Sequence, residues 1–305
     1  MSKLKVSFYH AIKIFLVLQQ QRNHLSAFSF LNIFFKAEDT NEEKLKKYFN
    51  HLTITETIVQ ADKFHENGKY LEVYETLNRI RLVNDPEVLW RIARALYNLN
   101  SSNKKLKKET RCAMMEEALF VLQLAFGNGG IDNAEVHKWM AVILDTHYGL
   151  INIEHRIKFS PLVREHLIKA CELNSHDFTA HHMMGKWSFQ MCRLSWFQRI
   201  IAKYLFAAEP PKSEYEVAYK YLLRAEELRP RTVLANLYLL GETCVKLGQF
   251  FKAKYYLNLA VRLRPKDENE KIIASKANHL MRRLERYDLG KNALFYDPLG
   301  FNGNL

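Results

Sequence analysis

The sequence predicts an all-α protein in which about five helix pairs stack in chain order and a final helix closes the end. Three observations predict this fold. A pattern of small and leucine side chains recurs five times at helical spacing. The 305 residues include only 11 glycines and 7 prolines, too few for the frequent turns of an all-β sandwich. Apolar residues make up 48% of the chain, which excludes a mainly disordered protein.

The repeat is best seen in residues 236–265. Small side chains fall where two helices must touch, and a leucine fills the space between them. A glycine lies at the turn, and a proline stops the second helix. In chain order these residues are Gly241, Gly248, Ala253, Leu257, Ala260 and Pro265. The pattern resembles the tetratricopeptide (TPR) repeat at nearly every signature position, so we predict a TPR-like α-solenoid.

The same positions recur in four earlier units. Their first helices carry a small residue at Ala61, Ala93, Ala141 and Gly185. Their second helices carry the triplets Val73–Leu77–Ile80, Ala118–Leu122–Ala125, Val163–Leu167–Ala170 and Ala218–Leu222–Ala225. Most units exceed the TPR ideal of about 34 residues, so insertions between helices are predicted at residues 104–108, 152–159 and 194–212. The Ser160–Pro161 pair predicts that one second helix begins there.

The repeats suggest four regions along the chain. Residues 51–266 are predicted to form the solenoid, residues 267–290 a capping helix and residues 291–305 a tail. Residues 1–50 form a basic, amphipathic segment with a linker, and the first 37 residues contain five basic and no acidic side chains. Three interpretations of this segment stay open: a mitochondrial transit peptide, a helix on an anionic membrane, or a helix packed on the protein.

The charge of the chain favours an acidic partner. Its 45 lysines and arginines exceed its 33 acidic residues, giving a net charge of +12 that is concentrated at both ends. Such a distribution suits an acidic polymer or surface better than one small ligand. Nucleic acid, anionic lipid and the acidic tails of tubulin all qualify. Nucleic acid is the least favoured, since no recognised binding module is present.

The sequence offers little catalytic chemistry. It lacks a phosphate-binding GxxxxGK[ST] loop, a zinc-protease HExxH helix and a dinucleotide-binding GxGxxG turn. The four cysteines have neither zinc-site nor disulfide spacing, which indicates reduced, mostly buried thiols in an intracellular protein. His181 and His182 point about 100° apart on a helix, so they do not suit one metal ion. We therefore predict a binding protein with no cofactor, no metal and no enzymatic activity.

The first helices of a TPR array line its concave groove, and the repeat register predicts which side chains face inward. These groove candidates are Trp90, Arg94, Lys138, His182, Lys186 and Tyr238. They are cationic and aromatic, which suits a carboxylate, a phosphate or a lipid head group. Asp62, Asp145 and Glu242 share the face and reduce its charge. Two alternatives are a solvated face and, for the tryptophan, packing between repeats.

Two basic clusters are candidates for polyanion binding. The first, in a predicted insertion, contains Lys104, Lys105, Lys107 and Lys108. The second, near the end of the solenoid, contains Arg262, Arg264, Arg282 and Arg283. A flexible acidic tail needs a spread of exposed cations rather than a shaped pocket, and such binding weakens with salt. The alternative is ordinary charge that keeps the protein soluble.

Longer matches in fixed order carry a family resemblance. They are the segments Pro86–Ala95, His137–Ala141, Phe159–His166, Gly185–Trp196 and Leu223–Pro230. Together they resemble the regulator of microtubule dynamics family over roughly residues 55 to 287. The resemblance implies a TPR-like domain, association with microtubules, and a spindle or cytoplasmic location in some members. Other members lie on mitochondria or at membrane contacts, with phospholipid in the TPR domain.

The leading hypothesis is a non-enzymatic protein that binds microtubules through their acidic tubulin tails and contributes to spindle organisation, in the cytoplasm and on the cytoskeleton. A protein or an anionic phospholipid would occupy the groove. The alternative is a phospholipid-binding or tethering protein at a mitochondrial or other organelle membrane.

Overall fold

The computed structural model describes residues 51–103, 105–195, 199–200 and 214–285. In these ranges the chain forms eleven α-helices and no β-strand. The helices are α1 (His51–Glu66), α2 (Tyr70–Asn78), α3 (Pro86–Ser102), α4 (Lys108–Gly127), α5 (Ala134–Ile151), α6 (Ile153–Leu173), α7 (Phe178–Cys192), α8 (Tyr215–Leu228), α9 (Leu234–Lys246), α10 (Phe250–Arg262) and α11 (Glu268–Glu285).

The helices stack in chain order, as the repeat pattern predicts. Contacts within the chain separate residues 1–56 from residues 57–305, and the packing described here is that of the second unit. From α2 onward, each helix packs against the next one in the chain. First helices of neighbouring pairs also touch, as α3 does with α5 and α7 with α9. The prediction of an all-α, TPR-like stack of five helix pairs is confirmed.

Glycines set the distance between the two helices of the later pairs. A Cβ atom added to Gly241 would lie 2.6 Å from Cγ of Leu257, and one added to Gly185 would lie 2.6 Å from Cγ of Leu222. Both distances are too short for a larger side chain at these two positions, whereas the three earlier first helices carry alanine there. Gly248 adopts a left-handed φ of +74° at the turn between α9 and α10.

The insertion predicted at residues 152–159 is wrong. Asn152 alone separates α5 from α6, and its side chain accepts a hydrogen bond from the backbone N–H of His155 at 2.8 Å. The extra residues lengthen the two helices instead. The ring of Phe159 stacks on Tyr148 with centroids 3.7 Å apart, so the lengthened parts bury additional apolar surface.

The predicted helix start at Ser160–Pro161 is also wrong, because Pro161 lies inside α6. A proline has no backbone N–H, so the carbonyl of Ile157 loses its usual partner within the helix. The Ser160 hydroxyl donates to that carbonyl at 2.8 Å. The serine therefore satisfies the carbonyl that the proline leaves open, and the helix continues. The connection between Ser102, the last residue of α3, and Lys108, the first of α4, overlaps the insertion predicted at 104–108, although residue 104 lies outside the described residues. Most of residues 194–212 lie outside them as well.

Helix α11 follows the fifth pair and packs on both α9 and α10. It buries Ala277 and Leu284 and leaves most of its remaining side chains exposed or half-buried, as a capping helix should. The predicted N-terminal segment (1–50), the end of the predicted cap beyond residue 285 and the predicted tail (291–305) lie outside the described residues. The three interpretations of the N-terminal segment therefore stay predictions. None of the described helices combines the length and the apolarity needed to cross a membrane.

Candidate functional site

The six groove candidates lie on the first helices, three residues before or one residue after the small residue of each repeat. We call the surface formed by these positions on α1, α3, α5, α7 and α9 the first-helix face. Trp90 and Arg94 lie on α3, Lys138 on α5, His182 and Lys186 on α7, and Tyr238 on α9.

Two arginines on α3 hold one carboxylate of α1. Nη2 of Arg94 lies 2.6 Å from Oδ1 of Asp62, and Nη2 of Arg91 lies 2.9 Å from Oδ2. Arg91 also contacts Oε2 of Glu87 through Nη1 at 2.7 Å. Burial acts to raise the pKa of Asp62, but hydrogen bonds from both guanidinium groups outweigh it and hold this pKa below its usual value. The carboxylate is therefore charged, and its charge cancels much of that of the arginines.

Trp90 lies beneath these cations. Its side chain is 5% exposed, and its indole N–H donates to Oε2 of Glu87 at 3.0 Å. The guanidinium carbons of Arg91 and Arg94 lie 4.2 and 4.9 Å from the centre of the ring. The buried tryptophan thus makes cation–π contacts within α3, and both its predicted role in the groove and the alternative of packing between repeats stay predictions.

Lys138 is buried between two carboxylates. Its residue is 8% exposed, and Nζ lies 2.5 Å from Oε1 of Glu135 and 2.6 Å from Oδ2 of Asp177. The second oxygen of Asp177 accepts a hydrogen bond from the backbone N–H of Thr179 at 2.8 Å and so caps α7. The lysine therefore joins α5 to the start of the next repeat.

The remaining candidates lie on α7 and α9. Nδ1 of His182 lies 2.9 Å from Oδ1 of Asn236, and burial lowers the pKa of this histidine. Tyr238 is half-buried, and burial together with the nearby Glu242 raises its pKa. Lys186 is exposed, with no acidic side chain in ion-pair distance among the described residues. Of the three candidate cations, Lys186 alone keeps an exposed, unpaired charge within the described part of the chain.

The acidic residues predicted to share this face have partners too. The guanidinium of Arg156 binds both carboxylate oxygens of Asp145 at 2.7 Å, and Glu242 lies 3.7 Å from Arg193. Neither Arg91 nor Arg156 is among the residues that the sequence predicted for this face. Most of the charge on the first-helix face is thus neutralised by pairs between helices.

The two basic clusters differ from this face. Lys105 and Lys107 are exposed before α4, Lys108 donates to the backbone carbonyl of Ile151 at 3.1 Å, and Lys104 lies outside the described residues. In the second cluster all four arginines are exposed at the ends of α10 and α11: Arg262, Arg264, Arg282 and Arg283. In the part of the chain described, no carboxylate lies within 4.0 Å of these arginines or of Lys105 and Lys107. These clusters present charge that is available to a partner.

The described residues include no candidate metal centre, and two of the four cysteines are buried. No group of three His, Cys, Asp or Glu side chains there could hold a metal ion. Burial raises the pKa of Cys171 and of Cys244 to about 12, so both thiols stay protonated at neutral pH.

Comparison with known proteins places these features in a family. The family model described as regulator of microtubule dynamics protein 1-3 matches residues 57–285. Regulator of microtubule dynamics protein 1 of Mus musculus is 34% identical over 228 residues, covering 75% of this chain and 74% of the relative. The Bos taurus protein 1 is 33% identical, covering 75% and 71%. Regulator of microtubule dynamics protein 3 of Xenopus laevis is 29% identical, covering 69% and 45%.

Among solved structures, a TPR protein from Thermus thermophilus matches with a TM-score of 0.49 and 15% identity, covering 74% of this chain and 99% of the other.

Proposed function

Because the chain belongs to the regulator of microtubule dynamics family, we propose that it is a non-enzymatic protein that binds microtubules and contributes to their organisation, including at the spindle. On this proposal it works in the cytoplasm and on the cytoskeleton. It would act by binding alone, through an array of helix pairs that presents charged surface.

The observation that carries the proposal is the second basic cluster. Arg262, Arg264, Arg282 and Arg283 are exposed and have no carboxylate in ion-pair distance in the described ranges. The tubulin tails that cover a microtubule are flexible and acidic. Cations without internal partners can bind such a tail at little desolvation cost, whereas the paired arginines of the first-helix face would have to give up existing partners.

Co-sedimentation with polymerised tubulin tests this proposal. The full chain should pellet with microtubules at low salt, and pelleting should fall steeply as salt rises. We expect the double variant Arg282→Glu with Arg283→Glu to weaken binding about tenfold, because four units of charge change at the contact.

The matched control changes the same amount of charge at exposed cations that already have partners. It combines Arg224→Glu and Lys271→Glu, whose native partners are Glu227 and Glu268. This control should keep most of the binding. Equal loss in both variants, no pelleting at low salt, or unchanged pelleting after removal of the tubulin tails would each contradict the proposal.

A second candidate function concerns the groove. Lys186 is exposed and unpaired on the first-helix face, so it is where we propose that an anionic group of a protein partner or of a phospholipid would bind. Mass spectrometry of lipid extracted from the purified protein tests the lipid alternative. Phospholipid that is retained by the full chain and lost from Lys186→Glu supports it, and a blank extract contradicts it.

A further inference from the structure

The outward side of α10 differs from the rest of the helical stack. Phe251 is 68% exposed and Tyr255 is 50% exposed, although both side chains are large and aromatic. With Arg262 they fall on one stripe of the helix, since residues four and seven apart share a face. Ala253 and Leu257 lie on the opposite side and are fully buried. We call this stripe, together with the neighbouring Lys254, the α10 outer face.

Basic residues surround these rings, and acidic residues are missing from the helix. Lys254 and Arg262 are exposed, with no ion pair among the residues described. Arg231, which follows α8, reaches the face with its Nη2 atom 3.5 Å from the Tyr255 hydroxyl. The sequence of α10 contains no Asp or Glu.

Each of the other second helices has at least one exposed glutamate at the equivalent positions. Counted from the buried small residue of each repeat, these are Glu75 on α2, Glu116 on α4, Glu165 and Glu172 on α6, and Glu216 and Glu227 on α8. The remaining equivalent positions hold Leu71, Leu82, Phe120, Gly127, Pro161 and Lys220, and Leu71 is 53% exposed. Among the described second helices, α10 alone combines two exposed aromatic rings and an arginine in this register with no acidic side chain.

We propose that the α10 outer face docks onto an anionic lipid membrane. The cations alone would suit any acidic polymer, but a polar acidic peptide would leave the Phe251 ring in water. An anionic bilayer suits both the cations and the aromatic rings of this face. Its head groups attract the cations, and the rings enter the boundary between the head groups and the acyl chains. Phe251 and Tyr255 insert there, and Lys254, Arg231 and Arg262 contact the lipid phosphates and carboxylates.

Vesicle flotation of the full chain tests the docking. We expect binding to phosphatidylcholine vesicles that contain about 30% phosphatidylserine, and little binding to phosphatidylcholine alone. Phe251→Ser with Tyr255→Ser should lower the affinity about tenfold, and Lys254→Gln should lower it about fivefold. The matched control is Leu71→Ser, at the same register of α2 and 53% exposed, which should leave the affinity unchanged.

A local reporter separates this face from any other lipid contact of the chain. Phe251→Trp keeps an aromatic ring, and brominated lipid in anionic vesicles should quench the fluorescence of this variant more than that of the unmodified chain, which has four tryptophans of its own. The proposal is overturned if the vesicle-bound variant is quenched no more than the unmodified chain, or if the double serine variant binds vesicles as the unmodified chain does. It is also overturned if that variant instead loses microtubule pelleting, or if it abolishes a self-association seen by sedimentation velocity.

Discussion

The first-helix face and the second basic cluster, here called the C-terminal cluster, both carry cationic side chains. The cations of the first-helix face are mostly paired with carboxylates, whereas those of the C-terminal cluster are not paired among the residues described. On the first-helix face, Arg94 and Lys138 lie within 2.6 Å of carboxylates that belong to other repeats. In the C-terminal cluster, Arg264 and Arg283 are exposed and have no such partner among the residues described. Counting charge along a sequence therefore does not locate a binding surface, because it does not distinguish cations that hold the fold together from cations left for a partner.

The largest expected effect comes from breaking a pair on the first-helix face. Asp177→Ala removes a partner of the buried Lys138 and also removes the N-cap of α7. We expect it to lower the free energy of unfolding by about 3 kcal/mol, measured by denaturant titration. Asp177→Asn keeps a capping oxygen but removes the charge. Its free energy of unfolding should therefore lie between that of the alanine variant and that of the unmodified chain.

The control for this prediction is an exposed pair. Lys271 and Glu268 lie 2.5 Å apart with side chains that are 61% and 73% exposed. Lys271→Ala should change the free energy of unfolding by less than about 0.5 kcal/mol. A similar loss in Asp177→Ala and Lys271→Ala would mean that pairing on the first-helix face adds no stability of its own.

Acidification is expected to lower the free energy of unfolding by a smaller amount, and the loosening should be confined to one part of the helical stack. Burial lowers the pKa of His147 to about 4 and also lowers that of His182. Below about pH 6.5 the unfolded chain binds protons that the folded chain cannot, so stability falls as the pH decreases toward the folded pKa. We expect a loss of about 1 to 3 kcal/mol between about pH 7.5 and pH 5 in denaturant titrations, and a smaller loss in His147→Leu.

Helix α10 contains no histidine, so the same acidification should loosen α5 and α7 before α10. Amide hydrogen exchange at the two pH values, corrected for intrinsic rates, measures this order. Earlier loosening of α10 would contradict the assignment of the effect to the buried histidines.

The smallest effect on stability is expected at the C-terminal cluster. Arg264→Ala with Arg283→Ala removes two exposed cations that lack ion-pair partners in the described chain. The midpoint of thermal unfolding should shift by no more than about 2 °C, since surface changes away from buried features are nearly neutral. A larger shift would show that these arginines contribute to the fold, and would remove the contrast between the two surfaces.

The sequence contained enough information to predict the fold because close helix contacts demand particular residues. Gly241 and Gly185 each face a leucine at a distance that no larger side chain allows, so the pattern reports the packing directly. Pro161 misled the prediction, because the serine hydroxyl that makes it tolerable inside α6 is a contact of the folded helix. The length of α6 could therefore not be predicted from the sequence and was established by the structure.

The partners on the first-helix face were harder to predict, since Asp62 and Arg94 are 32 residues apart. A usable signal was present nonetheless. Each follows the small residue of its repeat by one position, as Asp62 follows Ala61 and Arg94 follows Ala93. Opposite charges at equal register in adjacent repeats are therefore candidates for an ion pair, but equal register does not suffice, since Lys186 and Glu242 share this register and are not paired among the described residues. No register rule of this kind relates Lys138 to Asp177, which meet because one is helical and the other caps the next helix.

The pairs on the first-helix face limit how this chain can change in length. Asp62 of the first repeat binds Arg91 of the second, Glu87 of the second accepts a hydrogen bond from Asn133 at the start of the third, and Lys138 of the third binds Asp177 of the fourth. Deleting or duplicating one unit would leave an ion or an amide without its match at the new junction. Repeat arrays joined by apolar contacts alone can gain or lose units and still form their contacts. In this chain, the polar contacts between repeats match only when the order and number of the units stay the same.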